Sequence, residues 1–238
     1  GQTLHGAEID TQVASAQVKS ALLFAALYAD SDSLITETRP TRDYTESMLQ
    51  SLGWPIEFSA GKALVHSGGR LKASHISIPG DISSAAFLIA AALLIPNSDI
   101  SLTNIGVNPR RTGILAAFGL MGARIELSNQ RLQSGEPVAD IRVRSSDLQG
   151  IDLPEYLVPD MIDECPIFFV AAALAKGTTR ATGLAELRVK ESDRLSSMVI
   201  GLRAMGAEVV ESLDRIEIKG GNLHSASIES FDDHRIAM

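Results

Sequence analysis

Between Arg188 and Arg194 the chain reads Arg-Val-Lys-Glu-Ser-Asp-Arg, three cations and two acids packed together where a helical pattern begins. A helix start carries partial positive charge on its unpaired N–H groups, so acids are favoured there and Lys or Arg is not. Lys190 and Arg194 are four apart, and a helix through them would present both on one face with Glu191 alongside. Cations added to an already positive helix end suit an anion bearing phosphate or carboxylate, with guanidinium forks for bidentate contacts. A surface cluster of ion pairs uses the same residue types and stabilises weakly.

The elements that must position this segment recur three times. Each unit opens on an Ala-rich helix (16–28, 84–94, 166–175) and continues into a short β-like stretch (33–37, 99–104, 178–183). A basic loop then begins a second helix, which ends near Gly53, Gly122 or Gly206, and a strand pair follows each glycine. Sixty-nine residues separate Gly53 from Gly122, and 84 separate Gly122 from Gly206, a period suited to a βαβαββ unit and too long for a small solenoid repeat. The glycines sit where a left-handed helix cap is expected. Capping explains the glycines but not the arginines, which recur in register as Arg42, Arg110, Arg111 and Arg194. First helices also open on polar capping residues: Ser15; Asp81 or Ser83; Asp163; and Asp232 or Asp233. Side-by-side repeats with parallel helices would sum these N-terminal charges at one end and make an anion receptor. The turn-rich Pro79-Gly80-Asp81 is the favoured domain boundary, and 130–140 reads as a long hairpin loop or a second boundary.

Composition narrows the partner. The 238 residues, 45% hydrophobic and 21% charged, suffice for one large domain or two small ones. A net charge of −8 argues against nucleic acid or an anionic membrane, so any anion site is local. Cys165 is the only cysteine, which suits a reducing compartment and a buried, inert thiol. The longest apolar run, 85–95, is too short to span a bilayer. A soluble, cytoplasmic chain is expected. The first residues show no signal-peptide pattern, there is no initiating Met, and 235–238 read as the first turn of a further helix, so an excised piece of a longer protein is expected.

Ser15-Ala16-Gln17, Gly80-Asp81-Ile82-Ser83-Ser84-Ala85, Arg188-Val189-Lys190-Glu191-Ser192-Asp193-Arg194-Leu195 and Asp232-Asp233-His234-Arg235-Ile236-Ala237-Met238, in that order and spacing, resemble the 5-enolpyruvylshikimate-3-phosphate (EPSP) synthase family, 3-phosphoshikimate 1-carboxyvinyltransferase. The resemblance runs the length of the chain. It implies the α/β enolpyruvyl transferase fold, an inside-out α/β barrel of βαβαββ units in two three-unit domains, here truncated. Residues 1–79 would supply a partial first domain of about one unit, and 80–238 most of the second, two units and the start of a third. Missing would be the family's Lys-Ser motif, its Asn-Ala-Gly-Thr loop and a lysine near its C-terminus, so the chain alone is expected to be inactive without the remainder of the polypeptide.

By resemblance, the reaction transfers the enolpyruvyl group of phosphoenolpyruvate to the 5-hydroxyl of shikimate 3-phosphate by addition and elimination, with no metal or organic cofactor. Such chemistry needs a group for the hydroxyl proton, an acid for the methylene carbon, and cations for the phosphates and carboxylate. The resemblance assigns Asp163 as general base or hydroxyl-orienting group, with Asp160 and Glu164 as neighbouring registers, and Glu191 as the group exchanging the methylene proton. Lys190 would contact the shikimate ring oxygens or the departing phosphate. Arg194, Arg235 and His234 would hold phosphoenolpyruvate. Ser15, the Ala16 backbone and Thr41 would bind the shikimate phosphate, Tyr44 would lie against the ring, and Gln17 would sit between the substrates. Two departures stand out: Ala16 occupies a place where many members have serine, and Glu186 one where some have asparagine. The related transferase acting on UDP-N-acetylglucosamine is disfavoured, because it uses a reactive loop cysteine and Cys165 precedes Pro166 in an apolar helix. A non-catalytic module that kept the fold is the other alternative.

Overall fold

The computed structural model describes residues 2–238 and divides them into two compact units. Unit 1 comprises the described residues up to 78 together with 131–137; unit 2 comprises 79–130 and 138–238.

Unit 1 is one βαβαββ repeat. Strand β1 (Glu8–Thr11) leads into helix α1 (Ala16–Ala26), which Ser15 caps by accepting the Val18 N–H. Strand β2 (Ser33–Glu37) pairs in parallel with β1, the pairing a helical crossover permits. Helix α2 (Tyr44–Ser51) precedes the hairpin of β3 (Ile56–Ser59) and β4 (Lys62–Val65), giving the sheet order β1-β2-β4-β3. Leu23, Ile35, Leu49, Trp54 and Val65 fill its core. Alternation along β2 turns Ser33, Ile35 and Glu37 inward. The buried Glu37 carboxylate meets Lys19 of α1, whose ammonium lies 3.0 Å from Glu37 Oε2 and 2.7 Å from Glu46 Oε1 of α2.

Unit 2 repeats the pattern twice, with the opening strand of each repeat reduced to isolated bridges. Gly80 bridges Ile105 in parallel; Gln149 and Asp152 bridge Lys176 and Arg180. In the first repeat α3 (Ile82–Leu94) is followed by β5 (Asp99–Gly106), α4 (Gly113–Leu120), β6 (Arg124–Gln133) and β7 (Glu136–Arg144), in the order β5-β7-β6. Pro96 ends the first of these helices by removing an N–H and disfavouring helical backbone at Ile95. The long loop expected at 130–140 is instead a tight turn: β6 runs to Gln133 and β7 begins at Glu136, with only Ser134 and Gly135, both at positive φ, between them. The second repeat contains α5 (Cys165–Leu174), β8 (Thr178–Ala181), α6 (Arg194–Ala204), β9 (Glu208–Glu211) and β10 (Ile216–Lys219), ordered β8-β10-β9. Helix α7 (His234–Ala237) closes the described chain. Phe118, Phe168 and Phe169 centre one continuous core beneath α3, α4, α5 and α6.

Gly53, Gly122 and Gly206, the expected caps, adopt φ of 82°, 86° and 91° just after α2, α4 and α6. This backbone favours glycine because a Cβ crowds the neighbouring carbonyl there. Among the described residues no helix is long and apolar enough to cross a membrane.

Candidate active site

Five of the expected site residues lie in unit 1. Ser15, Ala16 and Gln17 form the start of α1, and Tyr44 begins α2. Ala16, Gln17, Ser20, Arg42, Tyr44 and Thr45 line a surface cleft of about 450 Å³, so two helix starts and one guanidinium share it. Ser20 and Thr45 hydroxyls, 2.7 Å apart, join the two helices at its floor. Thr41 is differently engaged. Its hydroxyl donates to Glu37 Oε1 and its N–H approaches Glu37 Oε2 at 3.5 Å, which ties the segment before α2 to the buried Lys19 cluster. Burial pushes the Glu46 carboxyl up, and the hydrogen bond and charge of Lys19 offset this only in part.

Unit 2 carries Asp163, Lys190, Glu191, Arg194, His234 and Arg235, and here helix starts converge. Asp81 caps α3 through the Ser84 N–H at 2.9 Å and takes Arg111, which stands two residues before α4, at 3.2 Å. Arg111 also donates to Ser83 of α3. Ser83 hydrogen-bonds the Glu164 carboxyl at the start of α5, and its carbonyl accepts from Arg235 Nη1 of α7 at 3.5 Å. Around Arg194, the first residue of α6, three carboxylates gather. Its Nε donates to Asp233 Oδ2 at 2.8 Å, Nη2 to Glu191 Oε2 at 2.6 Å, and Nη1 reaches Asp163 Oδ1 at 3.4 Å. The starts of α3, α5, α6 and α7, with the segment before α4, therefore form one hydrogen-bonded rim.

Several expectations need correction. Lys190 and Arg194 do not share a helical face: α6 begins only at Arg194, because the Asp193 carboxylate accepts the Ser196 N–H at 3.0 Å and caps it there. Residues 185–189 form a separate 3₁₀ turn, and Lys190 has extended backbone. Its ammonium pairs with Glu186 at 2.5 Å, and it lies near enough to Cys165 to act on that thiol. Arg188 takes no part in the rim; it is held by Asp193, Glu211 and the Leu213 and Ser212 carbonyls. Nor is Arg194 a surface cation, being 2% exposed. Asp163 is not a helix cap; it lies in a 3₁₀ turn, Ile162–Glu164, followed directly by α5, with Pro166 in the first turn where its missing N–H does no harm. Of the paired cap candidates, Asp81 and Asp233 perform the capping, Asp233 through the Arg235 N–H at 2.9 Å.

Electrostatics sort the acids. Burial raises the Asp233 carboxyl, but hydrogen bonds from Arg194, the Arg235 N–H and Ser192 outweigh it and hold it below the ordinary carboxylate range. Glu164 goes the other way, its carboxyl pushed up by burial despite Ser83, Arg111 and Arg235. The Cys165 thiol is buried and pushed far up, first by desolvation and then by Glu164 and Asp163, so it holds no thiolate for nucleophilic attack. His234 is largely exposed, 3.9 Å from Asp233. The sequence marked Arg111 only as an in-register arginine, Ser83 as an alternative cap and Glu164 as a neighbouring register of Asp163; their meeting at the rim depends on contacts between separate elements.

Residues 1–238 match the family described as EPSP synthase (3-phosphoshikimate 1-carboxyvinyltransferase). Among curated relatives, the 3-phosphoshikimate 1-carboxyvinyltransferase of Xanthomonas euvesicatoria pv. vesicatoria (strain 85-10) is 57% identical over 238 residues, covering 100% of this chain and 54% of its own. That of Xanthomonas axonopodis pv. citri (strain 306) is 56% identical with the same coverage. The chain thus spans about half the length of the curated relatives it matches. Of solved structures, an EPSP synthase from Acinetobacter baumannii superposes with a TM-score of 0.95 at 44% identity, over 100% of this chain and 55% of that one. The enolpyruvyl transferase NikO from Streptomyces tendae gives a TM-score of 0.69 at 17% identity, over 92% and 52%, a likeness of fold alone.

Proposed function

This chain belongs to the EPSP synthase family, and from that we propose that it supplies part of an enzyme transferring the enolpyruvyl group of phosphoenolpyruvate to the 5-hydroxyl of shikimate 3-phosphate. Residues 1–79 would then belong to one domain of the whole polypeptide and 80–238 to most of the other. The reaction would take place in the cytoplasm. What carries the reading is the unit 2 rim, where Arg194 holds both Asp163 and Glu191 while Arg111 and Arg235 meet at Ser83 beside them.

In this reading the 5-hydroxyl adds to the substituted carbon of phosphoenolpyruvate, its proton passing to Asp163 while Glu191 delivers a proton to the methylene carbon. Elimination reverses the second transfer. Glu191 recovers the methyl proton, the double bond re-forms, and phosphate departs with the proton first taken by Asp163, leaving both acids as they began and its remaining charge to the nearby cations. Both acids lie within reach of the same guanidinium, Arg194, which fixes their separation before substrate arrives. Arg194 already serves three carboxylates, so Arg235 and Lys190 are the better placed to hold incoming anions, with His234 exposed beside them. In unit 1, Ala16, Gln17 and Tyr44 border the cleft that would take the shikimate phosphate and ring, with Ser15 capping α1 just before it and the positive ends of α1 and α2 turned to the same cleft. Thr41 contributes by setting that segment through Glu37.

The test is turnover with both substrates. The complete polypeptide carrying this segment is expected to form product, and the 238-residue chain alone is not. Turnover by this chain alone would contradict the division of the site, and absence of turnover by the complete polypeptide would favour the non-catalytic module. Cys165 speaks against the UDP-N-acetylglucosamine transferase, since its thiol is buried and protonated.

A further inference from the structure

Glu164 is used by none of these steps, yet it is the most conspicuous acid in unit 2. Its side chain is 1% exposed, and among the described residues its Oε1 has no hydrogen-bond partner. That oxygen lies 3.9 Å from Arg235 Nη1, just outside hydrogen-bond reach. Ser83, itself fully buried, hydrogen-bonds the same carboxyl, accepts from Arg111 and offers its carbonyl to Arg235. A buried polar atom left without a partner is costly, so one held this close to a guanidinium needs an account.

We propose that Glu164 is a positioning residue for Arg235, its unused oxygen serving as a counter-group that takes up the guanidinium when no anion is bound and yields it to the carboxylate or phosphate of phosphoenolpyruvate. The inference rests on the reading of Arg235 as a ligand of that substrate. Arg111, itself paired with Asp81, acts on Glu164 from the segment before α4, Asp163 is its neighbour in the 3₁₀ turn, and Arg235, whose N–H is held by Asp233, acts on it from α7. Burial favours the neutral acid, which leaves the charge of Arg235 to the ligand; the ionised acid would pair with Arg235 and compete with it. Proton binding at Glu164 and anion binding at Arg235 therefore assist each other, and the assistance is reciprocal.

Steady-state kinetics of the complete polypeptide across pH test this. The KM for phosphoenolpyruvate is expected to rise with pH as Glu164 loses its proton, with kcat and the KM for shikimate 3-phosphate following a different profile. In Glu164→Gln, which cannot ionise, the KM for phosphoenolpyruvate should keep its low-pH value and end about tenfold below the parent's at the alkaline end, a coupling of ordinary size. Calorimetry in buffers of different ionisation enthalpy gives a second readout: phosphoenolpyruvate binding should take up protons in the parent and fewer in the variant. Parallel pH profiles and equal proton uptake in parent and variant would overturn this inference alone. A parent with no phosphoenolpyruvate turnover would overturn the functional reading, and this inference with it.

Discussion

Removing the Asp233 carboxylate should destabilise unit 2 more than any other single acid of the rim. Asp233 has no exposed side-chain surface and accepts four hydrogen bonds: Arg194 Nε at 2.8 Å and Nη2 at 3.4 Å, Ser192 Oγ at 3.0 Å and the Arg235 N–H at 2.9 Å. Breaking a buried pair by deleting one partner costs about 3–5 kcal/mol, because the remaining charge stays out of water. Loss of a helix cap costs about 1 kcal/mol. These terms share a bond network and do not simply add, so Asp233→Ala is expected to lose about 4 kcal/mol, on the order of 10 °C in Tm for a chain of this size. Asp233→Asn keeps a capping oxygen and loses the charge, and should fall between. Glu191→Ala removes a partner of the same guanidinium that is 58% exposed, and should cost under about 1 kcal/mol. Asp163, 22% exposed, should rank between them. Trp54 packs in unit 1, so far-UV circular dichroism in a denaturant titration is the suitable probe of unit 2. The carboxyl of Asp233 lies below its unfolded value of about 3.9, so its stabilisation is whole above that pH and is lost as the pH falls through the folded value. The parent–variant difference should therefore shrink in acid. Asp233→Ala costing no more than Glu191→Ala would refute the reasoning.

Other expectations follow from single features. Glu46 keeps its proton to higher pH in the folded chain than in the unfolded one, so stability should decline as pH rises from about 4.3 towards the folded value; Glu46→Gln should flatten that decline, and equal declines in both chains would contradict the assignment. Gly122→Ala meets open space but φ of +86°, so it should lose about 1–2 kcal/mol through backbone strain alone. Gly206→Ala also meets the His224 ring at 2.8 Å and should lose more; the order of the two denaturation midpoints decides. Cys165 should resist a phosphoenolpyruvate-like epoxide in the native chain and react only after unfolding, and rapid native labelling would revive the rival transferase.

What the sequence made legible was local. Strand β2 was read at its observed bounds because turn residues flank an alternating run, and the three glycine caps follow from chemistry confined to one helix end. The errors arose where a side chain chooses among partners. Asp193 could have lain within a helix begun at Lys190; its bond to the Ser196 N–H decided otherwise. Asp163 carried the pattern of a cap, but Pro166 and the buried Glu164 let a 3₁₀ turn precede α5. Hidden altogether was the pairing of Arg194 with Asp233, 39 residues away, and of Lys19 with Glu37 and Glu46, since burial of charge depends on which strands and helices meet. A motif rich in cations looked like an open anion trap, and much of its charge proves to be already matched.

The sheet orders carry a consequence for behaviour in solution. Among the outer strands, β1, β3 and β9 carry exposed carboxylates, Glu8 and Asp10 on the first, Glu57 on the second and Glu208 on the third. An unpaired strand flank invites a stranger's backbone, and repulsion between like-charged flanks is one defence. Added salt would screen that defence while the interior remained folded, so self-association of this chain is expected to grow with ionic strength before any loss of structure.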